Sequence, residues 1–143
     1  MTAGPPTVLF VCVSNAGKSV MAAGLMRREA GERVNVLSAG THAKTAVNAV
    51  SVQALAEVGV DISDHRPTQL DDALITAADL IVVVGTQARL EPTPTGKRVE
   101  VWDVDEPSLR GIEGLERMRL IRDDIARRVR GLLNELGVSE PRG

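Results

Sequence analysis

In residues 7–30, TVLFVCVSNAGKSVMAAGLMRREA, three kinds of local chemistry follow one another. Thr7 to Cys12 is an unbroken apolar and β-branched run, as expected of a strand buried on both faces of a parallel sheet. Residues 13–17 are small or polar, which suits a tight loop. From Lys18 to Ala30, apolar Met21, Ala22, Leu25 and Met26 recur at three- and four-residue spacing before Gly31, and this predicts a helix. A buried strand that feeds a helix through a small-residue loop is the first half of a βαβ unit.

The remaining chain repeats the alternation. Val34 to Ser38 (VNVLS) predicts a strand broken by Ala39-Gly40-Thr41, and Ala46 to Val58 predicts a helix through Val47, Val50, Leu55 and Val58, stopped by Gly59. Leu80 to Val84 and Arg98 to Trp102 predict two more strands, the second running into an acidic turn at Asp103 to Pro107. From Ile112 to Leu136, apolar Leu115, Met118, Ile121, Ile125, Val129, Leu132 and Leu136 mark a long amphipathic helix. The expectation is one α/β domain over residues 1–143, a doubly wound four-stranded parallel sheet with helices on both faces. The ends, MTAGPP and SEPRG, are expected to fray.

Composition narrows the function. With 143 residues, a net charge of -2, 43% hydrophobic and 25% charged residues, the chain has neither a basic footprint for nucleic acid nor the bias of a disordered protein. No apolar run nears the roughly 20 residues that span a bilayer, so no membrane partner is expected. The start, MTAGPPT, has no basic or cleavable signal. Cys12 is the only cysteine, which excludes an internal disulfide and favours a reducing cytoplasm. His42 and His65 stand apart without ligand spacing, so no metal site is expected.

Beyond the carboxyl end of the first strand, an open parallel sheet offers a ligand crevice. The amides of Ser14, Ala16 and Gly17 there could curl around a tetrahedral oxyanion, with the positive end of the following helix behind them. Cys12 would sit at the rim, where those amides and the Ser19 hydroxyl favour thiolate over thiol. The loop is no Walker motif, because Cys12 stands where the first glycine is needed; what remains is C-x5-K-S. On position alone, Cys12 could instead be a small buried hydrophobe, as free cysteines often are.

Cys12-Val13-Ser14-Asn15-Ala16-Gly17-Lys18-Ser19 resembles the C-x-G-N-x-x-R-[ST] phosphate loop of low-molecular-weight protein tyrosine phosphatases and of the arsenate reductases built on the same fold. Ser38-Ala39-Gly40-Thr41, GVDISDHRPTQL from Gly59 to Leu70, and the strand Asp79 to Val84 also resemble that superfamily, in the expected order. Trp102 to Ile125, WDVDEPSLRGIEGLERMRLIRDDI, looks most like the mycothiol-dependent arsenate reductases of actinobacteria.

Two departures from the phosphatase pattern carry information. Lys18 stands where a phosphatase has arginine, and a point charge replaces a planar fork. Ser108 and Leu109 follow Pro107 where phosphatases carry aromatics, and the chain has no tyrosine. Both suit a small inorganic oxyanion better than an aryl phosphate. With Cys12 alone, the three-cysteine thioredoxin-coupled route within one chain is closed, and the reductant must come from outside.

The resemblance implies that mycothiol is the co-substrate. An arseno-mycothiol adduct would leave, and a mycoredoxin with a second mycothiol would complete reduction of arsenate to arsenite. Cys12 acts in that scheme as nucleophile or as activator of transfer. It also implies an oxyanion-binding loop of Val13, Ser14, Asn15, Ala16, Gly17 and Lys18. Asn15 would pin loop carbonyls with its amide and adopt a left-handed backbone, and His65 would be a packing residue. Catalysis would use Cys12, Lys18, Ser19 and a carboxyl acid immediately before Pro107. By strict position the acid is Glu106, with Asp105 kept beside it. Arg110 or Arg122 could contact a sugar-bearing thiol. The rival readings are a tyrosine phosphatase and a non-catalytic oxyanion or redox-sensing module.

Overall fold

Strands and helices alternate through residues 4–138, which the computed structural model describes. The order is β1 (Thr7–Cys12), α1 (Lys18–Ala30), β2 (Asn35–Gly40), α2 (Ala49–Ala56), α3 (Asp72–Ala77), β3 (Leu80–Val84), β4 (Arg98–Trp102) and α4 (Gly114–Glu135). Short 3-10 turns cover Gly31–Arg33 and Pro107–Arg110. The frayed ends expected at residues 1–3 and 139–143 lie outside the described residues. Pro6, expected to fray, is tied down, its carbonyl accepting the Asn35 N–H at 2.8 Å.

All four strands are parallel, in the order β2-β1-β3-β4, with Cys12 opposite Gly40 and Val8 opposite Leu80. The apolar run of β1 explains its central place, because alternate side chains serve two cores. Val8 and Phe10 pack with α1, α2 and α4, against Met21, Leu25, Leu55, Ile121 and Ile125. Leu9 and Val11 face the other way, towards Ala39, Ile81 and the partly buried Leu74 and Ile75 of α3. Each fully buried Leu or Phe contributes roughly 1.5–3 kcal/mol. The chain runs from β1 to β2 on one side and then returns to β3 on the other. The direction of winding therefore reverses at the carboxyl ends of β1 and β3, where open α/β sheets bind ligands.

The departures from the sequence reading have local causes. Helix α2 starts at Ala49 and not Ala46, because residues 42–48 give backbone N–H groups to the loop after β1. Asn48 then caps the helix, its side chain accepting the Ser51 N–H at 2.9 Å. Helix α4 starts two residues late because the 3-10 turn runs to Gly111 in left-handed geometry, φ 79°. Strand β2 runs on through Gly40, whose N–H and C=O join residues 68 and 70. Helix α3 was missed in the sequence; six residues are too few to show periodicity, and its one signal is Asp71, which caps the Leu74 N–H at 2.9 Å.

Candidate active site

Cys12 ends β1, and the chain curls through residues 13–17 into α1. The carbonyls of Cys12, Val13, Ser14 and Ala16 accept N–H groups from Thr41, His42, Lys44 and Asn48, at 3.0, 2.8, 3.0 and 2.8 Å. With its carbonyls turned to that segment, the loop presents amides on its other edge. Among the described residues, the N–H groups of Ser14 and Gly17 have no protein acceptor. Gly17 caps α1 without a side-chain hydrogen bond, so the first-turn amides and the positive end of the helix also face this space. Gly40 lets the curl lie against β2, since a Cβ there would stand 2.7 Å from the Val13 carbonyl oxygen.

Asn15 holds the centre of the loop. It is fully buried and is the one non-glycine residue with positive φ, 50°, among the described residues. Its left-handed backbone matches the sequence expectation, but its side chain does not bond loop carbonyls. Oδ1 accepts the Thr68 N–H at 2.8 Å, which settles the orientation of the amide. Nδ2 therefore donates to Ser19 Oγ, at 2.8 Å. Ser19 Oγ lies 3.0 Å from Cys12 Sγ, so its hydroxyl donates to the sulfur whenever Cys12 is a thiolate, and the Asn15 N–H reaches the same sulfur at 3.3 Å. His65 Nε2 lies 3.0 Å from Asn15 Oδ1 and 3.2 Å from its carbonyl, both acceptors, so this nitrogen carries a hydrogen. Burial holds the His65 pKa below its ordinary value, against the opposing pull of the Asn15 carbonyl. His65 is thus a positioning residue as well as a packing one, which a lone histidine in sequence does not reveal.

Above the sulfur lies a cavity of about 660 Å³ lined by Cys12, Ser14, Gly17, Lys18, Glu106 and Arg117, among others. Cys12 is only 6% exposed, at the cavity floor. Lys18 Nζ lies 3.3 Å from Glu106 Oε1. Arg117, from the first turn of α4, grips the same carboxylate with Nε at 2.7 Å and a terminal nitrogen at 2.8 Å. The Ser108 N–H and hydroxyl donate to Glu106 as well, at 3.2 and 2.8 Å. Arg117 above all, with Ser108 and Lys18, holds Glu106 well below the usual carboxylate range, against the desolvation that opposes it. The protonated acid expected from sequence is therefore an ionised carboxylate here.

Asp105 points elsewhere. It pairs with Arg110 at 2.7 and 3.1 Å, its backbone N–H bonds Asp124, and it is not part of the cavity wall. Arg110 accordingly serves Asp105, while Arg122 bonds Glu57, Asp123 and the Ala54 carbonyl, so neither lines the cavity. The structure thus gathers Cys12, Lys18, Ser19 and Glu106 with the loop residues Val13 to Gly17, and leaves Asp105 outside. Arg117 was not foreseen. Eleven residues separate it from Glu106, and in sequence it reads as one arginine among many on an amphipathic helix. Phe10 and Trp102, the only aromatics, pack against each other in the core with tilted rings and centroids 5.6 Å apart, and neither lines the cavity.

Comparison with known proteins agrees with this architecture. An arsenate reductase of Halalkalibacterium halodurans is 34% identical over 130 residues, spanning 86% of this chain and 91% of that protein. A protein of Ralstonia solanacearum described as a probable low molecular weight protein-tyrosine-phosphatase is 38% identical over 113 residues, 71% of this chain and 77% of the other. Among solved structures, a thioredoxin-dependent arsenate reductase of Corynebacterium glutamicum superposes with a TM-score of 0.79 at 32% identity, covering 98% of this chain and 66% of that one. The family model for low molecular weight phosphotyrosine protein phosphatase matches residues 7–141. Loop, sheet order and sequence agree: the chain belongs to the low molecular weight phosphotyrosine protein phosphatase family.

Proposed function

We propose that this protein is an arsenate reductase that transfers arsenic to mycothiol, acting in a reducing cytoplasm. The observation that carries the reading is a single sulfur at the floor of a cation-lined cavity without an aromatic ring. A phosphotyrosine ring would find no face to stack on, and the residue at the rim after Pro107 is Leu109, 87% exposed. Several relatives are arsenate reductases, which supports the substrate. The Corynebacterium glutamicum relative is thioredoxin-dependent, but in this chain no second cysteine can take up a disulfide from Cys12.

The chemistry then runs in three balanced steps. Dihydrogen arsenate settles on the amides of Ser14 and Gly17, the α1 terminus and Lys18. The Cys12 thiolate, held by the Ser19 hydroxyl and the Asn15 N–H, bonds arsenic, and one arsenate hydroxyl leaves with the proton of the other as water. Mycothiol next displaces Cys12 from arsenic, attacking as the thiolate after losing its proton to water, and arsenic remains pentavalent. In the last step a second thiol, with mycoredoxin, attacks the sulfur of the arseno-mycothiol adduct. A disulfide forms, the S–As electron pair stays on arsenic, and arsenic falls from +5 to +3 as the thiol proton ends on arsenite.

Mass spectrometry of arsenate and mycothiol incubated with the protein tests the reading. An arseno-mycothiol adduct is expected from the native chain and not from Cys12→Ser. Absence of adduct with the native chain, or its equal formation by Cys12→Ser, refutes the proposal.

A further inference from the structure

Beside the catalytic cavity lies a second one, of about 730 Å³, within the roughly 300–1,000 Å³ range of small-molecule sites. Val13 and Gln87 line both cavities. We propose that this second cavity seats the body of the external thiol, and that its lining selects an uncharged, hydroxyl- and amide-bearing thiol over an anionic one. The inference deepens the thiol-transfer reading above and rests on it.

Position comes first. A molecule seated there needs only to cross Val13, the residue after Cys12, for its sulfur to meet arsenic held on the loop. The far wall is the segment that leaves β3, which supplies Gln87, Arg89 and the apolar faces of Leu90, Pro92 and Pro94. Such faces suit the C–H surface of a sugar ring. Among the described residues, the side chains of Gln87 and Arg89 have no hydrogen-bond partner, so both are free to bond hydroxyl and amide groups.

Charge makes the selection. The catalytic cavity sets Lys18 and Arg117 against Glu106, an excess of positive charge that suits an oxyanion. In the second cavity one cation, Arg89, faces two carboxylates, Asp72 and Glu91, so an anionic thiol is repelled while a neutral one loses nothing. Arsenate and thiol are therefore sorted into adjoining cavities by charge. When the seated thiol reacts, its S–H proton passes to water as its sulfur bonds arsenic and Cys12 leaves as thiolate.

The test uses mycothiol and glutathione as probes with the full chain. His42 and Arg89 are exposed and line only the second cavity, so His42→Trp fills it and Arg89→Ala removes its cation. Each variant should raise the KM for mycothiol by about tenfold or more while the KM for arsenate moves by less than about twofold, and glutathione should support less than about a tenth of the native rate. A second measurement needs no turnover. Saturation-transfer NMR should detect mycothiol on Cys12→Ser protein and lose it when His42→Trp is added. An unchanged mycothiol KM in both variants, or a parallel rise in the arsenate KM, overturns the cavity assignment even if the native chain makes adduct. Binding that depends on His42 and Arg89 without adduct formation by the native chain upholds the cavity and refutes the transferase reading. No binding and no adduct refutes both.

Discussion

Replacing Arg117 with methionine keeps an unbranched apolar stem and removes the guanidinium fork. In the native protein that fork makes two charge-assisted hydrogen bonds to Glu106, at 2.7 and 2.8 Å, with both side chains 24% exposed. Hydrogen bonds to charged groups contribute about 1.5–3 kcal/mol each when buried, and partial exposure lowers this, so about 2 kcal/mol for the pair is a fair figure. The sign with pH follows from linkage. Glu106 has its pKa depressed from 4.5 on folding, so its stabilisation is complete above pH 4.5 and is lost as pH falls towards the folded value. At 1.36 kcal/mol per unit, going from pH 4.5 to 3 costs the native protein about 2 kcal/mol through this one group.

Urea unfolding of the native protein, Arg117→Met, Glu106→Gln and the double variant at pH 7 and pH 3 measures it. The double-mutant cycle should give a coupling of about 2 kcal/mol at pH 7 that persists at pH 3, because Arg117 keeps Glu106 ionised in the folded protein at both, while the native protein loses about 2 kcal/mol more than Glu106→Gln between the two. A coupling that is absent at pH 7, or already lost at pH 3, would mean that Arg117 does not hold Glu106 ionised.

Other substitutions probe the loop. Gly40→Ala would force a methyl group to within 2.7 Å of the Val13 carbonyl and 2.9 Å of the Asn15 nitrogen, so it should cost about 1–3 kcal/mol and raise the arsenate KM. Gly131→Ala meets nothing within 4 Å inside α4 and should stabilise by about 0.5–1 kcal/mol in thermal melts with turnover unchanged. Asn15→Gly and Asn15→Ala both leave the Thr68 N–H without its acceptor, but alanine also strains at φ 50° and should unfold at lower urea by about 1–2 kcal/mol more than glycine. His65 binds its proton less readily when folded, so stability should fall as pH drops below 6.5 towards the folded value, and His65→Gln should flatten that part of the profile.

Much of the fold was legible because it depends on local pattern. The unbroken TVLFVC run could only be buried on both faces, and β1 indeed serves two cores. The spacing of Leu115 to Leu132 marked α4 for the same reason, one apolar stripe facing one sheet. Cys12, Lys18 and Ser19 lie within eight residues of one another, so the loop that joins them was visible too. What the sequence could not convey is which distant groups fold back upon that loop. Thr68 and His65 orient Asn15, residues 41–48 take up the loop carbonyls, and Arg117 clamps Glu106, each across a separation that leaves no periodic trace. The choice between Asp105 and Glu106 had the same cause: neighbours in the chain diverge in space, one to Arg110 at the surface and one to the cavity wall. Local patterning thus determined where the sulfur and its loop would stand. Long-range packing decided the charge of the carboxylate facing them, because a carboxylate's ionisation depends on which cations the fold brings within a few ångströms.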